Sequence, residues 1–383
     1  MHLGLSLHLI KRCFLWLFAI WTLHNEDKTM KLKTTVSALC AAVLAVTCCA
    51  SSAYAAKVGV SMPTQSLQRW NQDGQNMKAM LEQSGHTVDL QYAGDNDIPT
   101  QVNQIENMIA SGCDILVVAS IDGSALTEVL KGAKEKNIPV VSYDRLIMNS
   151  DAVSYYATFD NTRVGNLQGQ YIAEQLDLEN AKETKYIEIF TGPTDDNNVN
   201  FFFGGAMEVL KPYIDSGKLV VKSGQTTREQ CATLNWNLEE AQKRMENLIS
   251  SISYGPDDVQ LDAVLTQNDS LACGVVNALL ATGYDASNMP VITGQDCDKP
   301  AVKNIVRGYQ DMSVFKDTRM LAQQVVAMVD SIDKGEEVEV NDTTTYNNGT
   351  GVIPSYLCEP IAATKDNYQA LLIDSGYYKA DEI

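Results

Sequence analysis

Residues 115–119, Ile115-Leu116-Val117-Val118-Ala119, are apolar at every position and lack the alternation of a strand with one wet face. A continuous run of this length describes a strand buried on both faces, the condition of a parallel sheet covered by helices above and below. Further strand-like runs lie at 58–62, 87–92 and 139–143, and the segments between them, 67–84, 102–111 and 125–135, are amphipathic. Strand, helix and strand in repetition imply right-handed crossovers and a doubly wound α/β layer. The rhythm restarts after Asp160, with strands expected at 186–190, 219–221, 261–266 and 290–293, and helices at 163–176, 201–210, 238–252 and 271–281.

The fold class expected is therefore α/β, two doubly wound parallel-sheet lobes joined by a hinge. No Pro- or Ser-rich linker separates them, so the lobes should pack closely around a cleft at the carboxyl ends of their strands. A last helix at about 318–332 and the tail from Asn341 are placed to return across the hinge. The boundaries expected are 57–160 plus 317–340 for the N-terminal lobe and 161–316 plus 341–383 for the C-terminal lobe.

Residues 1–55 read as a leader. Lys31 and Lys33 precede an apolar run at 36–45, and small residues end at Ala53-Tyr54-Ala55, so cleavage is expected after Ala55. The apolar stretch 13–21 is too short to span a bilayer, and Met30 just before the basic residues marks 1–29 as an over-extended start. Cys48 and Cys49 raise the rival of a lipid-modified terminus, which Ala45-Val46-Thr47 fits poorly. The expectation is a soluble product exported to the periplasm.

Over 383 residues, Lys+Arg 29 against Asp+Glu 48 gives a net charge of −19. Loss of 1–55 removes five bases and two acids, taking the charge from −19 to −22. Such a chain repels polyanions, so nucleic acid and anionic membrane surfaces are excluded as partners. The mature part has one histidine, His86, read as a surface residue, and five scattered cysteines without a C-x-x-C pair, read as buried small apolar residues. Ser-His and Cys-His nucleophile pairs and histidine zinc sites are thereby absent. No phosphate-binding glycine motif follows the first strand. No cofactor is called for.

Polar residues do collect where strands run out: Arg69-Trp70, Ser120-Ile121-Asp122, Asp144-Arg145, Asp195-Asp196-Asn197-Asn198, Asn268-Asp269 and Gln295-Asp296. Any one could be a helix cap; six strand ends in succession favour a site. Acids, amides and arginine together satisfy the hydroxyls of a neutral polyhydroxylated molecule through charge-assisted hydrogen bonds. Trp70 and Trp236 would offer flat faces to a sugar ring, whereas Phe201-Phe202-Phe203 read as core of the following helix. A carboxylate pair cleaving a glycosidic bond is the enzyme alternative, opposed by basic partners that keep carboxylates ionised.

At these residues the chain resembles the periplasmic sugar-binding proteins of ABC transporters, type I fold, most closely the xylose-binding and multiple-sugar-binding receptors. The resemblance runs from about 57 to 383. It is carried by VGVSMPT…QRW at 58–70, QIENMIASGCDILVVASIDG at 104–123, YDRLI at 143–147, SYYATFDNTRVGNLQ at 154–168 and PTDDNN at 193–198. AVLTQNDS at 263–270, GQD at 294–296, VFKDTR at 314–319 and NDTTTYNNG…VIPSYL at 341–357 extend it.

The resemblance implies ligand contacts from Arg69, Trp70, Asp122, Asp144 and Arg145 in the first lobe. From the second lobe and hinge it implies Asn198, Trp236, Asn268, Asp269, Asp296 and Lys316. It further implies a monomeric receptor that binds a monosaccharide without bond-making and serves a membrane permease and a chemoreceptor. The calcium loop of the galactose/glucose branch has no counterpart, so no metal is expected. A LacI-type sugar-sensing regulator shares this fold but needs an N-terminal helix-turn-helix, where this chain has an apolar leader.

Overall fold

The computed structural model describes residues 55–383, which form one compact unit. The expectations for the leader fall on residues outside that range. The described chain begins with β1 (Lys57–Met62), α1 (Gln68–Gln83), β2 (Thr87–Tyr92), α2 (Ile98–Ala110), β3 (Ile115–Val118), α3 (Thr127–Glu135), β4 (Val140–Tyr143) and β5 (Val153–Phe159). It continues through α4 (Asn161–Gln175), β6 (Lys185–Phe190), α5 (Asn198–Asp215), β7 (Leu219–Val221), α6 (Leu238–Ile252), β8 (Ala263–Thr266) and α7 (Asp269–Ala281). The remainder is β9 (Val291–Ile292), α8 (Lys299–Arg307), β10 (Met312–Phe315), α9 (Thr318–Lys334), β11 (Ser355–Cys358), β12 (Ile361–Thr364) and a π-helical turn at Gln369–Asp374.

The first sheet has the order β11-β5-β4-β3-β1-β2 and is parallel throughout. Its central strand behaves as its composition demands. Ile115, Val117 and Ala119 join the core on one face, with α1 and α9, while Leu116 and Val118 join the core on the other, with α2 and α3. The second sheet, β7-β6-β8-β9, is parallel too, and β8 divides likewise, Val264 to one core and Ala263 and Leu265 to the other. A parallel bridge from Gln295 to Val314 carries this sheet on to β10, and β12 closes it antiparallel.

The chain passes between the sheets three times: from β5 to α4, from β10 to α9, and from β11 to β12. Two of these crossings run side by side, tied by a hydrogen bond from the Asp160 N–H to the Cys358 carbonyl at 3.0 Å. The third crossing corrects the assignment of all of 341–383 to the C-terminal lobe. β11 pairs with β5 in the first sheet, because Ser355 and Cys358 are buried against that lobe's core while the backbone completes the ladder. The chain from β12 onward packs with the second lobe, through Ala363, Leu372 and Tyr378.

Capping residues set the helix starts. The Asp97 carboxylate accepts the Thr100 N–H at 3.1 Å and Asp160 accepts that of Arg163 at 2.9 Å, satisfying donors the helix cannot. Gly165 and Gly205 let α4 and α5 touch backbone to backbone; a Cβ at Gly165 would lie 2.1 Å from the Phe202 carbonyl oxygen. That contact sets the position of Phe202. His86 departs from its reading as a surface residue: it is 8% exposed, with Nε2 2.7 Å from Asp330 on α9. All five cysteines of the described chain are buried and free.

Candidate functional site: a pocket between the lobes

A pocket opens where the two sheets present the carboxyl ends of their strands. Of the residues expected at the site, Arg69, Trp70, Asp144, Arg145, Asn198, Trp236, Asn268, Asp296 and Lys316 line it. All but Trp236, which ends a 3₁₀ turn at Leu234–Trp236, are placed by the end of a strand or the start of a helix. Arg69 and Trp70 lie on the first turn of α1, Asp144 and Arg145 follow β4, Asn198 opens α5, Asn268 caps α7, Asp296 follows β9 and Lys316 follows β10.

Arg69 organises the first lobe's wall. Its Nε donates to Asp73 Oδ2 at 2.9 Å, one Nη to Asp144, and the other Nη to Asp296 Oδ1 at 3.2 Å across the cleft. Asp296 is gripped from its own lobe by Lys316 Nζ at 2.8 Å. A second ion pair crosses the cleft from Arg145 Nε to Asp196 Oδ2 at 3.1 Å. Arg145 Nη1 donates to the carbonyls of Ser120 and Ile121, each at 3.2 Å, which fixes the guanidinium. Asn198 adds a third link, donating from Nδ2 to the Asp144 carbonyl at 2.8 Å.

Two aromatic rings are held as rigidly as the charges. Trp70 lies beneath the guanidinium carbons of Arg69 and Arg145, 5.1 and 5.2 Å from its ring centre. Trp236 donates from Nε1 to Asp196 Oδ2 at 3.2 Å and meets Phe202 edge-on, centroids 6.4 Å apart. Its indole lies against Gly192, where a Cβ would come within 2.2 Å of the ring. Gly192→Ala should therefore push the indole off its seat. With overpacking typically costing about 1–3 kcal/mol, ligand affinity should fall about tenfold, read by calorimetric titration. Unchanged affinity would show that Trp236 has no part in binding.

Backbone strain marks the same places. Asp144 (φ 57°), Trp236 (φ 55°) and Asp296 (φ 95°) all hold the left-handed region that side chains disfavour. Such outliers persist only where surrounding structure overrides them, and they cluster at binding sites.

Burial sets the protonation of the pocket's acids. It pushes the Asp296 carboxyl up, but Lys316 and Arg69 outweigh it and hold the group below the usual range, as an anion. Asp298 is pushed up to about 7, by burial and then by neighbouring Asp296. This corrects the expectation that basic partners keep every carboxylate here ionised: Asp298 lines the pocket without a cation of its own.

Asp73 beneath Arg69 and Asp311 at the second sheet's edge are each pushed up to about 6, chiefly by burial. A carboxyl whose folded pKa exceeds its unfolded one stabilises the fold below the unfolded value, and that contribution is lost as pH rises through the folded value. The melting temperature should thus be higher near pH 5 than near pH 7.5 by these groups' contribution. Asp298→Asn should flatten the slope in differential scanning calorimetry, and an unaltered slope would contradict it.

Two expected contacts are not brought to the pocket. Asp122 turns its carboxylate onto the Ser124 N–H at 2.7 Å and so caps its own turn, a common use of Asp after a strand. Asp269 is fully buried behind the pocket floor. Its oxygens accept from Ser313 Oγ at 2.9 Å, Gln310 Nε2 at 3.0 Å and the Asp298 N–H at 2.9 Å. Its work is to hold the loop that presents Asp296 and Asp298. Asn268 shows that cap and site are compatible: Oδ1 accepts the Leu271 N–H at 3.0 Å while the residue still lines the pocket.

The pocket also includes Leu67, Asp196, Phe202, Ser270, Gln295 and Asp298. Asp196 and Gln295 lie within strand-end clusters legible in the sequence. Phe202, read as core, belongs to both core and pocket.

Comparison with known proteins agrees with this geometry. The family model for the periplasmic binding protein domain matches residues 58–337. The chain is 47% identical to the multiple sugar-binding periplasmic receptor ChvE of Rhizobium radiobacter, over 92% of this chain and 100% of the relative. It is 35% identical to the D-xylose-binding periplasmic protein of Escherichia coli K12, again over 92% and 100%. Among solved structures, an ABC transporter solute binding protein from Clostridium phytofermentans with bound β-D-glucose is similar, at 60% identity and a TM-score of 0.82. The match covers 85% of this chain and 99% of that one. The resemblance drawn from the motifs is borne out, and the chain belongs to the periplasmic binding protein domain family.

Proposed function

We propose that this protein is an exported sugar receptor of an ABC transporter. It takes one monosaccharide into the pocket between its lobes, turns about the three crossings as it closes, and offers the closed form to a membrane permease and a chemoreceptor. The observation that carries the reading is the wall chemistry. Arg69, Arg145, Lys316, Asp144, Asp196 and Asp296 come from both lobes, and Trp70 and Trp236 supply the flat faces. Paired acids and bases on a neutral ligand donate to and accept from every hydroxyl without leaving a net charge to solvate.

D-glucose is the first candidate, because the solved relative at 60% identity holds β-D-glucose; the relatives named for several sugars and for D-xylose widen the class to pentoses and hexoses. The role is recognition without bond-making. Export follows from the leader, with cleavage after Ala55. The two lobes are proposed as the units that move, with boundaries at the crossings after Phe159, Phe315 and Cys358.

A thermal-shift panel of monosaccharides tests the reading. At a concentration about 100 times Kd, a ligand specific to the folded state adds about 2.7 kcal/mol, enough to raise Tm by several degrees. D-glucose, D-xylose, D-galactose and L-arabinose form the panel. A rise with none of them would reject the proposal.

A further inference from the structure

A second cavity adjoins the first, and Leu67, Trp70, Arg145 and Trp236 line both. The rest of its wall comes from both lobes: Pro63, Thr64, Asn96 and Ile121 on one side, Pro193, Asp195 and Asn235 on the other. It is therefore completed by the same approach of the lobes that completes the first pocket.

Its chemistry is that of a sugar subsite. Pro63, Ile121, Pro193 and the shared indoles give apolar faces, and Asp195 gives an acceptor. Asn96 and Asn235, both exposed, line it from different lobes in left-handed backbone conformations, φ 53° and 55°. Neither side-chain amide makes a hydrogen bond to another described residue, so both keep donors and acceptor for a ligand. Asp95 in the same wall is different: Thr64 and Ser66 already occupy its Oδ1, at 2.6 and 2.5 Å.

We infer that this chamber receives the second ring of a disaccharide whose first ring fills the Arg69–Asp296 pocket, with the glycosidic oxygen passing between Trp70, Arg145 and Trp236. The inference rests on the sugar-receptor reading and enlarges its ligand class to neutral disaccharides. The shared wall is the geometric reason: Leu67, Trp70, Arg145 and Trp236 border both cavities, so a ring held in one has the other directly beside it. Two amides and the carboxylates of Asp95 and Asp195 against the single guanidinium of Arg145 match the chemistry of uncharged hydroxyls rather than of an anionic sugar.

The test is calorimetric titration of the protein with cellobiose and maltose beside D-glucose. At least one disaccharide should bind with one-to-one stoichiometry and compete with glucose. The double variant Asn96→Gly/Asn235→Gly keeps the left-handed backbone and removes both amides. With those hydrogen bonds lost, it should weaken the disaccharide about tenfold or more while glucose affinity stays within about twofold. Glucose binding with neither disaccharide bound overturns the inference and leaves the functional reading standing. So does a disaccharide affinity that the double variant does not change. If no sugar binds, the underlying reading falls and takes this one with it.

Discussion

Asp296→Ala lowers sugar affinity by about 2 kcal/mol or more, a loss of about thirtyfold or greater. Truncating one member of a buried, hydrogen-bonded charge pair at a binding interface typically costs about 2–5 kcal/mol. The Asp296 carboxylate stands 2.8 Å from Lys316 Nζ and 3.2 Å from Arg69 Nη1. Without it, the Lys316 ammonium loses its ion-pair partner in a buried site and the ligand loses its strongest acceptor. The link between the lobes through Arg69 is lost too, so closure is weakened together with recognition. Asp296→Asn keeps the shape and one acceptor oxygen but not the charge, and should fall between wild type and alanine. Both variants are read by calorimetric titration with the tightest monosaccharide of the panel. An alanine variant within threefold of wild type would show that Asp296 faces the pocket without binding.

Arg69→Met acts on stability more than any other pocket substitution. One guanidinium serves three carboxylates, Asp73, Asp144 and Asp296, using Nε and both terminal nitrogens. Burial works against its charge, but Asp144, then Asp73 and Asp296, together hold it firmly protonated. Methionine fills much of the volume and leaves Asp73 and Asp144 buried without a cation. The expected cost is about 3–5 kcal/mol, or about 10 °C in Tm for a protein in which each kcal/mol is worth about 2–4 °C. Arg69→Lys should not rescue it, because one ammonium cannot reproduce the planar fork. The deficit should shrink toward pH 5, since the Asp73 carboxyl, already pushed up to about 6 by burial, is stabilised by taking up a proton. A methionine variant melting within about 2 °C of wild type would contradict the account.

The parallel sheets were legible because their strands are buried on both faces. Ile115 to Ala119 and Ala263 to Thr266 show no alternation, and the cores on either side of β3 and β8 account for that pattern. β5 was not legible: Val153–Phe159 carries serine, threonine and two tyrosines, and its place in the sheet depends on long-range pairing with β4 and β11. β11 was given to the wrong lobe for the same reason. Ser355–Cys358 pairs with a strand almost two hundred residues away, and no local spacing encodes that.

At the pocket, residue type after a strand end was informative but not sufficient. Asp122 and Asp144 follow neighbouring strands in the same sheet. One turns back onto its own backbone and the other stands against Arg69 in a left-handed conformation. Asp269 and Asn268 are adjacent, yet one faces the core and the other the cleft. Direction, not identity, separates these pairs, and direction is set by tertiary contacts such as Ser313 and Gln310 around Asp269. Asp298 was hidden because its role depends on burial, which gives a carboxyl near neutrality no signature in sequence.

Isothermal titration of the folded protein with D-glucose tests the central claim most directly, that acids and bases from both lobes close on one neutral sugar. The account predicts a single site with Kd near micromolar or tighter, a binding free energy of about −8 kcal/mol or more favourable. Absence of binding heat at several temperatures, with D-glucose and equally with D-xylose, D-galactose and L-arabinose, would contradict it.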